Sequence, residues 1–205
     1  MHVLQIINNT FLSNCFLIEG ISQNCIVIDP GNLFVPEIQE QIKKGDKRLN
    51  AVILTHEHFD HITGVDSLAG HFEFDLICSP ACNKGIRDSK KNMSIYYDEI
   101  SPYGVEKPAV EVTDGMKMKI AGLTCFFYLT PGHSPGSMCI KIDDSIFTGD
   151  TMLNNTKVPL NLPSSNKADY ENSLRKLENI LETGNTIYPG HGDPFIFNKS
   201  NSFGN

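Results

Sequence analysis

Positive charge is scarce in this 205-residue sequence: 17 Lys and Arg stand against 24 Asp and Glu, for a net charge of −7. Nucleic acid and anionic membrane surfaces are drawn to basic patches, so neither is an expected partner and a small-molecule substrate is the default. Long hydrophobic runs are also missing. The apolar runs end after about five residues, far short of the ~20 that cross a bilayer. The opening stretch MHVLQIINNTFLSNCFLIEG has neither a basic start nor a long apolar core, so it reads as a strand pair rather than an export signal. Internal repeats and low-complexity tracts are absent as well.

With no export signal, a cytoplasmic location and reduced thiols are expected. The six cysteines, Cys15, Cys25, Cys78, Cys82, Cys125 and Cys139, sit mostly inside apolar runs, where a thiol acts as a small hydrophobe. Cys78 and Cys82 have no second pair with which to complete four metal ligands. The length and a 40% hydrophobic, 20% charged composition fit one globular domain spanning residues 1–205. Oligomeric state is not legible, a homodimer being the common default for a soluble enzyme.

Short β-branched runs recur along the chain: CFLIE, CIVID, AVILT, DLICS, TCFFYL, MCIKI, SIFT and TIYP. They predict strands. Val35, Ile38 and Ile42 predict a helix stopped by Gly45. A second is expected from about Asp169 to Thr183, with Leu174, Leu177, Ile180 and Leu181 on one face and Gly184 as its stop, and a third between Ala81 and Asp98. Hairpin-like spacing from CFLIE to CIVID and from MCIKI to SIFT favours mixed sheets covered by helices. The polar stretch Thr151 to Lys167 carries two prolines and reads as a long loop, a candidate substrate wall.

The chemistry lies just beyond the strand runs. AVILT leads into His56-Glu-His58-Phe-Asp60-His61, TCFFYLTPG into His133, SIFTG into Asp150, TIYPG into His191, and CIVI ends at Asp29. Sheet ends are where loops carry function on a rigid frame. Four potential N/O ligands within six residues, joined by three distant ones, exceed what one tetrahedral ion uses and suggest two metals. Asp150, alone on its loop, is the natural bridge between ions about 3.5–4 Å apart. Asp29, before Pro30-Gly31, and Thr55, before His56, are candidates to orient ligands by hydrogen bond. Isolated His2 and His71 read as ordinary surface or structural residues.

Gly132-His133-Ser134-Pro135-Gly136 offers a rival reading, because it matches a G-x-S-x-G nucleophile elbow, and Ser134, Asp150 and His191 follow the serine-hydrolase order. An elbow requires a helix directly after the serine, whereas Ser137-Met-Cys-Ile-Lys-Ile reads as a strand. The His56–His61 cluster would also be left unexplained.

Taken together, Thr55 to His61 with the later His133, Asp150 and His191 resemble the metallo-β-lactamase-fold superfamily over nearly the whole chain. The resemblance implies an αββα sandwich of two mixed sheets packed face to face, with helices outside and metals at one edge. It also implies one ion held by His56, His58 and His133, another by Asp60, His61 and His191, and Asp150 between them. Thr130 to Ser137 and Pro189-Gly-His191-Gly are similar to the short, single-domain relatives of glyoxalase II. That similarity implies a hydrolase that activates water between two divalent ions, zinc first with iron or manganese as alternatives, to cleave a thioester or a related ester or lactone. Asp60 would act as its catalytic carboxylate. Glyoxalase II carries a further C-terminal helical region for glutathione, and only fourteen residues follow His191 here. Persulfide dioxygenases share the motif with a single iron, and a non-catalytic metal-binding protein is the reading from another class.

Overall fold

The computed structural model describes residues 1–31 and 36–199. The first half of the chain runs β1 (His2–Ile7), β2 (Asn14–Glu19), β3 (Asn24–Ile28), α1 (Pro36–Lys44), β4 (Arg48–Ile53), α2 (Phe59–Ile62), α3 (Val65–Ala69), β5 (Asp75–Cys78), α4 (Pro80–Gly85) and β6 (Ala109–Glu111). The second runs β7 (Lys117–Ile120), β8 (Leu123–Leu129), β9 (Met138–Ile142), β10 (Ser145–Gly149), α5 (Lys167–Ile180), β11 (Thr186–Pro189) and β12 (Phe195–Ile196). Each half folds its own six-stranded sheet, ordered β1-β2-β3-β4-β5-β6 and β12-β11-β10-β9-β8-β7. Both sheets are mixed. In the first, β1-β2-β3 pair antiparallel and β3-β4-β5-β6 parallel; in the second, only β10 and β11 are parallel.

Side-chain alternation along the strands decides the layering. In β2 and β3, Phe16, Ile18, Ile26 and Ile28 point one way and meet Phe127, Met138, Ile140 and Phe147 of the second sheet. Cys15, Leu17, Cys25 and Val27 point the other way, onto Ile38 and Ile42 of α1 and onto Val65 and Leu68 of α3. The outer face of the second sheet, with Cys139, Ile146 and Ile187, is covered by Leu177 and Leu181. The architecture is thus helix, sheet, sheet, helix, the metallo-β-lactamase-like sandwich. Sheets buried on both faces also explain why the central strands read as continuous apolar runs rather than alternating ones. All six cysteines are free and buried in these layers. Among the described residues no helix is long and apolar enough to cross a membrane.

All eight predicted strand runs form strands, and both expected hairpins pair antiparallel. Two helices differ from expectation. The one expected from Asp169 to Thr183 begins at Lys167, because the Asn166 side chain accepts hydrogen bonds from the Ala168 and Asp169 amides and so caps it. It ends at Ile180, with Leu181 extended, which leaves Gly184 out in the following turn. The helix expected between Ala81 and Asp98 stops at Gly85, apart from a short 3-10 turn at Ser94–Tyr96. There the Asp88 carboxylate takes the Lys90 and Lys91 amides and offers the backbone a turn in place of a helix. Val35 of the first predicted helix lies outside the described residues.

Replacing Asn166 with Ala should cost about 1 kcal/mol of stability, the usual value of an N-cap. Urea unfolding of the variant beside the parent protein checks this, and an unchanged midpoint would dismiss the cap.

Candidate metal centre

The sandwich brings its predicted ligands to one edge. From the first sheet come Asp29, just past β3, and the run Thr55–His61 beyond β4, with Asp60 and His61 in the single turn of α2. The second sheet contributes His133 from the β8–β9 loop, Asp150 at the end of β10 and His191 after β11. All seven predicted ligands meet. His133 Nε2 lies 3.0 Å from His58 Nδ1 and 3.5 Å from Asp150 Oδ2. His191 Nε2 lies 3.3 Å from Asp60 Oδ2 and 3.5 Å from Asp150 Oδ2, and His61 Nε2 lies 3.5 Å from Asp60 Oδ2 and 3.7 Å from Asp150 Oδ1.

Hydrogen bonds fix which nitrogen of each ring faces this cluster. Asp29 Oδ1 accepts the Thr55 amide at 2.7 Å, and Oδ2 accepts the Thr55 hydroxyl at 2.5 Å and His61 Nδ1–H at 3.0 Å. Since the Thr55 proton is committed to Asp29, Thr55 Oγ1 accepts from His56 Nδ1, 3.1 Å away. His133 Nδ1–H donates to the Pro159 carbonyl and His191 Nδ1–H to that of Leu12. In each of these four rings Nδ1 is committed outward, so Nε2 is the nitrogen that faces the cluster. Asp29 is held at φ 52°, a left-handed conformation that costs a non-glycine residue free energy and is tolerated where surroundings over-determine it.

The donor set fits divalent cations. His56 Nε2, His58 Nε2, His61 Nε2 and Asp150 Oδ1 are buried without hydrogen-bond partners among the described residues. Leaving such groups unpaired costs about 1–3 kcal/mol apiece, which a cation among them removes. Ligand atoms of His56, His58 and His133 lie within 4.8 Å of one another, as do those of Asp60, His61 and His191. A third grouping, Asp29 with His56 and His61, meets the same distance but is not a ligand set, because both Asp29 oxygens are taken up by Thr55 and His61 Nδ1. Burial, reinforced by neighbouring imidazoles, pushes His56 far below its ordinary pKa and His58 down to about 3. Burial lowers His133 too. These three rings are neutral, as ligands must be. In the other group burial also opposes charge, but the carboxylates of Asp60, Asp29 and Asp150 outweigh it at His61, pushed up to about 10, and Asp60 and Asp150 outweigh it at His191.

Ser134 does not form a nucleophile elbow. Its hydroxyl is buried, donates to Glu57 Oε2 at 2.8 Å and meets Ser137 at 3.0 Å, with no histidine as base and strand β9 following. His2 and His71 lie away from the centre, on the surface. The loop at Thr151–Lys167 supplies Pro159 and Leu162 to the cleft wall, and its last residue opens α5.

Two buried residues escaped the sequence reading. Glu57 carries no ligand atom to the cluster; its carboxylate takes the Ser134 hydroxyl and the Gly136 amide, tying the His56–His61 run to the His133 loop. Asn14 donates to the carbonyls of Pro189 and Gly192 at 2.9 and 2.7 Å and so anchors the His191 loop to the first sheet. The available signal for Glu57 was its place inside a ligand run bound to be buried; Asn14 had none.

Two outcomes test this arrangement. Glu57→Ala strands two buried donors and should lower stability by about 1–3 kcal/mol in denaturant unfolding; a loss under about 0.5 kcal/mol, the scale of an ordinary surface change, would count against the tie. Gly190 packs so closely that an added Cβ would collide with the Asp150 carboxylate and the His61 ring. Gly190→Ala should therefore cut bound metal by more than half in elemental analysis while the far-ultraviolet dichroism spectrum persists.

A sequence model described as the Metallo-beta-lactamase superfamily matches residues 8–191. The "Probable polyketide biosynthesis zinc-dependent hydrolase PksB" of Bacillus subtilis (strain 168) is 29% identical over 178 residues, covering 86% of this chain and 72% of its own. Among solved structures, the BLEG-1 B3 metallo-beta-lactamase superposes with a TM-score of 0.87 at 23% identity, over 95% of this chain and 94% of its own. TTHA1623 in a di-iron-bound form gives a TM-score of 0.82 at 21% identity, over the same shares. The chain belongs to the metallo-β-lactamase superfamily.

Proposed function

We propose that this protein is a metal-dependent hydrolase acting on a small-molecule thioester or a related ester or lactone, with two divalent ions as its cofactors. The observation that carries the reading is the position of Asp150. One carboxylate stands 3.5 Å from His133 of the first ligand group and 3.5 and 3.7 Å from His191 and His61 of the second. On this reading His56, His58 and His133 would hold one ion and Asp60, His61 and His191 a second, and Asp150 stands within reach of both groups. Zinc is the first choice, in keeping with the name of the Bacillus relative, and the di-iron form of TTHA1623 keeps iron in view.

Bound ions would supply Lewis acidity and lower the pKa of water from about 15.7 toward about 7. The chain's own part is orientation. Asp60 lines the cleft, and although burial would raise its pKa, His61 and His191 hold the carboxyl well below the usual range. It therefore stays an ionised acceptor beside the cluster, able to orient an attacking water by accepting its hydrogen bond. A thioester suits this centre, since a thiolate leaves without needing a proton. Tautomers locked by Asp29, Thr55, Pro159 and Leu12 hold the rings in place before substrate arrives, so little reorganisation is required during reaction.

Elemental analysis of protein purified without added metal, paired with thioester hydrolysis before and after chelation, tests the proposal. About two ions per chain are expected, as in two-metal hydrolytic sites, with hydrolysis lost to chelator and restored by zinc. One iron per chain would replace the proposal with a mononuclear oxygenase. Asp60→Ala and His58→Ala should each lower kcat/KM by several orders of magnitude; more than about a tenth of the activity remaining, a loss under ~1.4 kcal/mol of transition-state stabilisation, would overturn the assignment.

A further inference from the structure

Beyond the histidines and carboxylates, the cleft over the metal centre is walled by Phe11, Phe59, Met93, Tyr97, Pro159 and Leu162 around a volume of about 240 Å³. Neither Lys nor Arg is among its described lining residues. Three of the walls are aromatic and touch. Phe11 stands edge-on to Phe59 at 4.7 Å between centroids, and the Tyr97 ring lies 4.6 Å from Phe59 and 5.9 Å from Phe11. Phe59 sits between His58 and Asp60 in the chain, so the apolar wall is built into the ligand run itself.

Met93 is held in the left-handed region, at φ 70°, where a side chain is disfavoured. Asn92 imposes it. Its side chain donates to the Tyr103 carbonyl and accepts the Ser94 amide, while its carbonyl takes the Phe59 amide at 2.8 Å. A strained conformation maintained by Asn92 and its three partners, at a residue facing the cleft, is the pattern of a shaped binding wall. Apolar surface also flanks the wall: Leu12, whose carbonyl holds His191, is 63% exposed, and Ile95 and Tyr96, next to Tyr97, are 43% and 58% exposed.

We infer that the acyl part of the substrate is uncharged and apolar and packs against the Phe59–Tyr97 wall, with its carbonyl toward the two groups of residues that would hold the ions. This assignment rests on the hydrolase reading above. A negative charge on that part of the substrate would leave water for aromatic and aliphatic surface, with neither Lys nor Arg among the described lining residues to pair it. The volume is below the about 300–1,000 Å³ of sites for drug-sized ligands, which suits one short chain or ring.

The test compares zinc-loaded protein on N-acetylcysteamine thioesters carrying acetyl, butyryl, hexanoyl, phenylacetyl and succinyl groups. Each methylene that enters the wall should raise kcat/KM about fourfold, and succinyl should fall well below butyryl. Tyr97 is 38% exposed, so Tyr97→Ala should fold, and it should reduce the hexanoyl-to-acetyl ratio about tenfold as area is lost from the wall. Leu162→Lys should raise the succinyl-to-butyryl ratio by supplying the missing cation. A flat chain-length profile, or succinyl matching butyryl in the parent protein, overturns the inference and leaves the hydrolase standing. Calorimetric binding of acetyl, butyryl and hexanoyl hydroxamates separates the two. Affinity that rises with chain length, with no thioester, ester or lactone cleaved, upholds the apolar wall and removes the hydrolase reading. Absence of both hydrolysis and a chain-length trend removes both.

Discussion

Three donors converge on the Asp29 carboxylate: the Thr55 amide, the Thr55 hydroxyl and the His61 ring. A charge so buried is tolerable only when its lone pairs are filled, and here they are filled by Thr55 and by His61, a candidate ligand itself. Because Thr55 spends its proton on Asp29, His56 has only one way to turn its own. The orientations of two imidazoles on the first sheet therefore descend from one carboxylate. That carboxylate is set by a backbone conformation which the chain adopts as it leaves β3.

The second sheet has no equivalent of Asp29 and uses backbone carbonyls instead. Pro159 orients His133 from the long loop, and Leu12 orients His191 from the other sheet. Glu57 and Asn14 then bind the two sheets' loops to one another, so the ligand groups keep their separation without depending on the ions alone. The result is a polar floor with rigid geometry and, above it, an apolar wall of aromatic rings. On the proposed reading chemistry and selection would fall to different side chains, and Phe59 and Asp60, neighbours in sequence, would belong one to each.

Much of this was legible in the sequence, for physical reasons. Strands buried on both faces must be apolar throughout, so CFLIE, CIVID, AVILT and MCIKI announced themselves, and ligands that follow such runs are positioned by them. Asp29 and Thr55 were recognisable by adjacency to strand end and ligand. Strands β6, β7 and β12 were not: they are short edge or near-edge pieces such as KMKI and FI, whose burial comes from partners distant in sequence. The segment after Gly85 does not continue the expected helix, because the side chains of Asp88 and Asn92 satisfy the backbone another way. Glu57 was invisible as a tie because its partners, Ser134 and Gly136, sit in the opposite half of the chain.

That each sheet is drawn from its own half of the chain bears on the order of synthesis. The run from His56 to His61 leaves the ribosome with Asp29 already made, while His133, Asp150 and His191 do not yet exist. At about 5–20 residues per second the interval before His191 emerges is on the order of ten seconds. During it the nascent chain presents a partial ligand set and the uncovered inner face of the first sheet. Completion of the cluster therefore waits on its last histidine, His191.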